Sequence, residues 1–127
     1  MKELIYGNAK DKIAKEEKSV IELMEEQYPT IADGYKKIIR EQYELFCRKH
    51  LDYGMANVAA GTQLVNDEEK SFALTGLFFR LNDKVSRWKN LIITGRKTQN
   101  ETLTDTYQDI TNYGIIAQLV DRGLWKK

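Results

Sequence analysis

Phe72, Leu77, Phe78, Leu81, Val85, Trp88 and Ile92 fall on one helical stripe between Ser71 and Thr94, and side chains with that period are buried together only by an α-helix packed on a neighbour. The same period recurs in three other segments, and no stretch alternates apolar and polar residues as a strand would. From Asp11 to Tyr28 the stripe is Ile13, Val20, Ile21, Met24 and Tyr28, ended by Pro29, which disfavours helical geometry in the residue before it. A second helix is predicted from about Ile31 to Tyr53, carried by Tyr35, Ile38, Ile39, Gln42, Leu45, Phe46, Lys49 and Tyr53, with Gly54 as a left-handed cap.

Residues 55 to 70 lose the period and contain Gly61, Asn66 and Asp67, so a mobile loop or short irregular helix is expected there. The stripe from Ser71 ends at Gly95, and a polar link follows to Asn100. The fourth helix is predicted from Glu101 or Thr102 through Ile110, Tyr113, Ala117 and Val120 to Gly123, with Thr102 and Asp105 spaced as a variant capping box. Short links between consecutive helices predict antiparallel neighbours. The expected fold is therefore all-α: a single four-helix, bundle-like domain over residues 1–127 with an irregular loop between its second and third helices.

Twenty basic residues against nineteen acidic ones, a net charge of +1, leave no global field to gather duplex DNA or an anionic membrane. One cysteine, Cys47, excludes an internal disulfide and predicts a reducing compartment. The first nine residues show no cationic segment followed by an apolar run, and nothing approaches the roughly 18–20 apolar residues that cross a bilayer. A cytoplasmic protein is expected. Gly-rich phosphate loops, GxSxG, CxxC and paired Cys and His are absent from the sequence, which sets aside the mechanisms they serve.

Three polar groups share helices with the apolar stripes. Arg80, Asp83, Lys84, Arg87 and Asn90 follow one another at helical steps on one broad face. Arg can clamp a phosphate through paired hydrogen bonds, and Lys can hold one as a point charge. Alternatively the row is a solvated face with ion pairs such as Asp83 with Arg87. Asp105, Asp109 and Asn112 align two carboxylates and an amide over two turns, a donor set suited to Mg²⁺ if another helix adds a group. Asp105 near a helix N-terminus is equally explained by the helix dipole. At the end of the second helix, Lys49, His50, Asp52, Tyr53 and Gly54 gather charge, an imidazole and an aromatic ring. Tyr53 could stack on a base there, while a lone His50 without a second ligand argues against zinc.

The string Asp52-Tyr53-Gly54, the block Arg80 to Arg87 followed by Asn90-Leu91, and the run Glu101 through Asp105, Asp109, Asn112 and Tyr113 together resemble the nucleotide modification associated domain of type 1, a family of phages and bacteria. The resemblance covers about residues 41–120 and leaves 1–40 as an N-terminal helical extension. It implies an all-α domain associated with nucleotide or modified-base metabolism. Carried over residue by residue, the positions matching the family are Asp52, Tyr53, Gly54, Arg80, Asp83, Lys84, Arg87, Asn90, Asp105, Asp109, Asn112 and Tyr113. Residue type then assigns ligand binding to Lys49, Asp52, Tyr53, Arg80, Lys84, Arg87, Asn90, Asn112 and Tyr113 and metal binding to Asp83, Asp105 and Asp109, with Mg²⁺ as a candidate cofactor. A looser similarity is to the MazG-like all-α nucleoside triphosphate pyrophosphatases, from which the sequence departs in its acidic spacing. The expected function is binding of a nucleotide or phosphorylated small molecule, with Mg²⁺-dependent action on it as one reading. A non-catalytic phage-type binder that sequesters a nucleotide-derived signal or engages a protein is the alternative. A homodimer is the expected assembly.

Overall fold

The computed structural model describes residues 17–127, and the first six residues of the helix expected from Asp11 lie outside the described part. Five helices and no strand are found among the described residues: α1 (Val20–Gln27), α2 (Pro29–Tyr53), α3 (Ala56–Ala59), α4 (Asp67–Thr94) and α5 (Leu103–Asp121). The chain divides into two compact units, residues 1–41 and 42–127, so the break falls where the resemblance begins. No described helix is long and apolar enough to cross a membrane.

In the first unit, Ser19 caps α1 by accepting from the backbone N–H of Glu22, and the helix closes at Tyr28. Proline at the first position of α2 lacks only an N–H that a helix leaves unpaired anyway. The break at Pro29 therefore separates two helices with almost no link, where the sequence placed a start at Ile31.

The second unit holds the rest of α2. Gly54 takes φ +70°, as the left-handed cap required. The short helix expected as one reading of residues 55–70 is α3, and the irregular stretch is shorter than predicted because α4 starts at Asp67 rather than Ser71. Asn66 is the reason: its side chain accepts from the Glu69 N–H at 2.8 Å, and Asp67, Glu68 and Glu69 fill the first turn, where carboxylates complement the helix dipole. Asn66 and Asp67 are turn formers by type, but here they open a helix.

α4 and α5 run antiparallel, since Lys84 meets Asp109 while Arg87, further along α4, meets Thr106, earlier in α5. Gly95 closes α4 at φ +64°, and Thr102 and Asp105 form the predicted capping box at the start of α5. After α5 the Gly123 N–H donates to Val120 O and the Leu124 N–H to Leu119 O, a Schellman turn that needs the left-handed φ of +71° at Gly123. That turn sends Trp125 back into the unit, where its indole N–H donates to Met55 O at 3.2 Å. Trp125 joins Val58, Ala73, Leu77, Ile116 and Val120 in the core. This packing fixes α2, α3, α4 and α5 around one cleft.

Candidate nucleotide-binding cleft

A cleft of about 380 Å³ opens at the end of α2. Phe46, Lys49, His50 and Tyr53 reach it together because steps of three and four residues share one helix side. Asn57 of α3, Arg80 and Lys84 of α4, Glu101 of the α4–α5 link, and Asp109, Asn112, Tyr113 and Ile116 of α5 complete it with Trp125.

Its electrostatic centre is Asp109. The Lys84 ammonium lies 2.8 Å from one carboxylate oxygen and the Lys49 ammonium donates to the other at 3.0 Å. Lys84 also donates to Glu101 at 3.0 Å. Burial alone pushes the Asp109 carboxyl upward, but the hydrogen bonds and charges of Lys84 and Lys49 outweigh it and hold the group below its ordinary value. For Lys84 the hydrogen bond to Asp109 dominates and raises the ammonium above its ordinary value against the opposing effect of burial. Both groups are therefore charged across the physiological range. Three cations, Lys49, Arg80 and Lys84, face two carboxylates, Asp109 and Glu101, which leaves the cleft with an excess of positive charge.

Two arginines brace the walls. Arg80 donates to the carbonyl of Asn57 and so ties α4 to α3. Arg87 donates to the Thr106 hydroxyl and to the Glu101 carbonyl, which fixes the link beside Lys84. Thr106 is fully buried, so its hydroxyl needs this partner.

Asn112 is 6% exposed and lines the cleft, yet its Oδ1 has no hydrogen-bond partner. A buried amide oxygen left unpaired costs roughly 1–3 kcal/mol. Opposite the polar side stands an aromatic wall: His50 stacks on Phe46 at 5.5 Å between centroids and meets the edge of Trp125 at 5.0 Å. Tyr53 stands at the rim, largely exposed.

Of the residues singled out by sequence, Lys49, Tyr53, Arg80, Lys84, Asp109, Asn112 and Tyr113 are brought together. Arg87 stands behind the cleft as a brace. Asp52, Asp83, Asn90 and Asp105 are exposed and do not line it. At about 100° per residue, Asp83 sits a quarter-turn from Lys84, and Asp52 as far from Tyr53, so neighbours in sequence point apart. Asp105 is occupied at the helix start, where its carboxylate accepts from the Thr102 N–H at 3.2 Å.

The three carboxylates Asp83, Asp105 and Asp109 do not converge, and among the described residues no three His, Cys, Asp or Glu side chains form a metal-holding group. Asp109 is flanked by two ammonium groups, those of Lys49 and Lys84. Sequence reasoning missed Phe46, Asn57, Glu101, Ile116 and Trp125 as cleft residues. Phe46 stands one turn before His50 and was legible from that spacing, whereas Trp125 depends on the turn at Gly123.

Comparisons with curated proteins and with solved structures return no match. One family model matches residues 49–120, which spans the last turn of α2 through nearly all of α5 and so the cleft, apart from Phe46 and Trp125. The chain belongs to the nucleotide modification associated domain 1 family.

Proposed function

We propose that the cleft binds a nucleotide or nucleotide-derived phosphorylated molecule, with Lys49, Lys84 and Arg80 receiving the phosphate. One observation carries this reading: Asn112, whose amide oxygen is buried and unpaired, lines the same cleft as three cations. Unpaired buried polar atoms are uncommon and call for a partner. A ligand hydroxyl or N–H group fits Asn112 Oδ1, a phosphate fits the cations, and a base fits against the exposed ring of Tyr53. Membership of a family associated with nucleotide modification agrees with this chemistry.

Among the described residues no three His, Cys, Asp or Glu side chains gather to hold a bare divalent cation, so Mg²⁺ enters this reading on the phosphates of a ligand, as it does in many phosphate sites. The cleft works as a binder in the first instance: Lys49 and Lys84 are held in place by Asp109 before any ligand arrives. Such preorganisation lowers the cost of binding.

The test is isothermal titration of the purified chain with nucleoside mono-, di- and triphosphates and cyclic nucleotides, with and without Mg²⁺. Saturable heat with at least one nucleotide, weakened in Lys84→Met, is the expected result. Uniform absence of heat across the panel overturns it.

A further inference from the structure

The face of α4 that turns away from the cleft carries a second pattern. Leu74, Phe78, Leu81, Val85, Trp88 and Ile92 follow one another at steps of four, three, four, three and four residues, a heptad repeat with Phe78, Val85 and Ile92 in one core position and Leu74, Leu81 and Trp88 in the other. Inside its own unit α4 buries Ala73 and Leu77 and points Lys84 and Arg87 to α5; the stripe lies about a quarter-turn further round, with Leu74 packed against the core and Trp88 against Tyr107. The rest of it is more open, with Phe78 at 59%, Val85 at 45% and Ile92 at 69% exposed. A repeat of this period, free of charge at all six positions, specifies a helix partner rather than a solvated surface.

We infer that this stripe pairs with the same stripe of a second copy of the chain, antiparallel and about a two-fold axis near Asp83. In that arrangement Leu81 meets Val85 of the second copy, Phe78 meets Trp88, and Leu74 meets Ile92, so each position finds an apolar counterpart in a self-complementary seam. Lys89 falls opposite Thr75.

The seam has the size that such a pairing needs. Leu74 to Ile92 extends for about 27 Å along the helix. Tyr107 of α5 widens it, because its ring meets Trp88 at 4.9 Å between centroids. With aromatic side chains offering roughly 150–250 Å² each, the exposed parts of these residues amount to about 500 Å² per copy. Full burial of this seam in two copies would remove about 1,000 Å², the lower bound for a specific interface.

Sedimentation velocity of the full chain at about 1–100 µM, with far-ultraviolet circular dichroism as a check on folding, decides the matter. The inference predicts a dimer for the wild type and a monomer of unchanged helicity for Val85→Glu, with Ile92→Lys as the second variant should the first lose helicity. A monomeric wild type at 100 µM overturns it. So does a dimer that persists in both helical variants, which would place the interface on another face. The result is independent of the cleft, since neither substitution touches it.

Discussion

The Lys84 ammonium lies 2.8 Å from Asp109 across the α4–α5 interface, and Lys49 of α2 holds the other oxygen of the same carboxylate at 3.0 Å. One side chain on α5 thereby fixes two cations from two other helices. Lys84 and Asp109 are mostly shielded, at 19% and 13% side-chain exposure, so the contact is more than a surface pair. Asp109→Asn should lower stability by about 1.5–3 kcal/mol, the range for hydrogen bonds to charged groups, measured by urea unfolding.

The same pair sets a pH window. Asp109 titrates below its ordinary value of 3.8 in the folded protein, so its contribution is present above that value and is lost as pH falls through the lower, folded one. Lys84 titrates above its ordinary value of 10.5, so its contribution persists below that pH and is lost as pH rises through the higher, folded one. Unfolding free energy should hold a plateau between these limits and fall on the acid side below about pH 4. In Asp109→Asn the part of the acid limb due to this group should disappear; an unchanged limb assigns it to other carboxylates.

Arg87→Ala removes the partner of a buried hydroxyl and the tether of the link at Glu101. A stability loss of about 1–3 kcal/mol is expected, together with faster amide exchange in residues 96–101. Exchange that stays as slow as in the wild type would show that the link is held by other contacts.

Glu101 competes for Lys84 with any ligand phosphate, because its carboxylate already accepts from that ammonium at 3.0 Å. Glu101→Gln should therefore tighten phosphate-bearing ligands by about 3- to 10-fold, at roughly 1.4 kcal/mol per tenfold, and leave uncharged nucleosides unaffected. Equal gains for both ligand types would assign the effect to access rather than to charge.

Much of this was legible in the chain. Apolar stripes at helical spacing gave α2, α4 and α5, and Thr102 with Asp105 gave the start of α5, because local pattern and capping decide such elements. The start of α4 was placed late because Asn66 and Asp67 suit both turns and helix N-termini, and only the reach of the Asn66 side chain to Glu69 selects the helix. Within the site, Lys49, Lys84, Asp109 and Asn112 were found from residue type and spacing. Asp83, Asp52 and Asn90 were drawn in with them because a broad helical face includes residues a quarter-turn apart, and which edge of that face meets a neighbour is settled by packing. Asp105 was assigned two roles by sequence, of which the structure shows the capping one. Trp125 was invisible as a cleft residue, since its position depends on the left-handed turn at Gly123.

Asn112 separates stability from binding. Its Oδ1 is buried without a partner, so Asn112→Ala should change unfolding free energy by no more than about 1 kcal/mol. Affinity for a nucleotide that donates to this oxygen should fall by about 10-fold or more, the scale of a site hydrogen bond. Unchanged affinity would place the ligand away from this end of the cleft.

The most direct measurement is isothermal titration of the nucleotide panel into wild type, Asn112→Ala and Lys84→Met under one set of conditions, each variant first shown to be helical. Saturable binding to the wild type, weakened about 10- to 100-fold when the Lys84 hydrogen bond to phosphate is removed and weakened again through Asn112, is the predicted result. A nucleotide that binds all three proteins equally well would contradict the assignment of this cleft, and a wild type that binds none would contradict nucleotide binding itself.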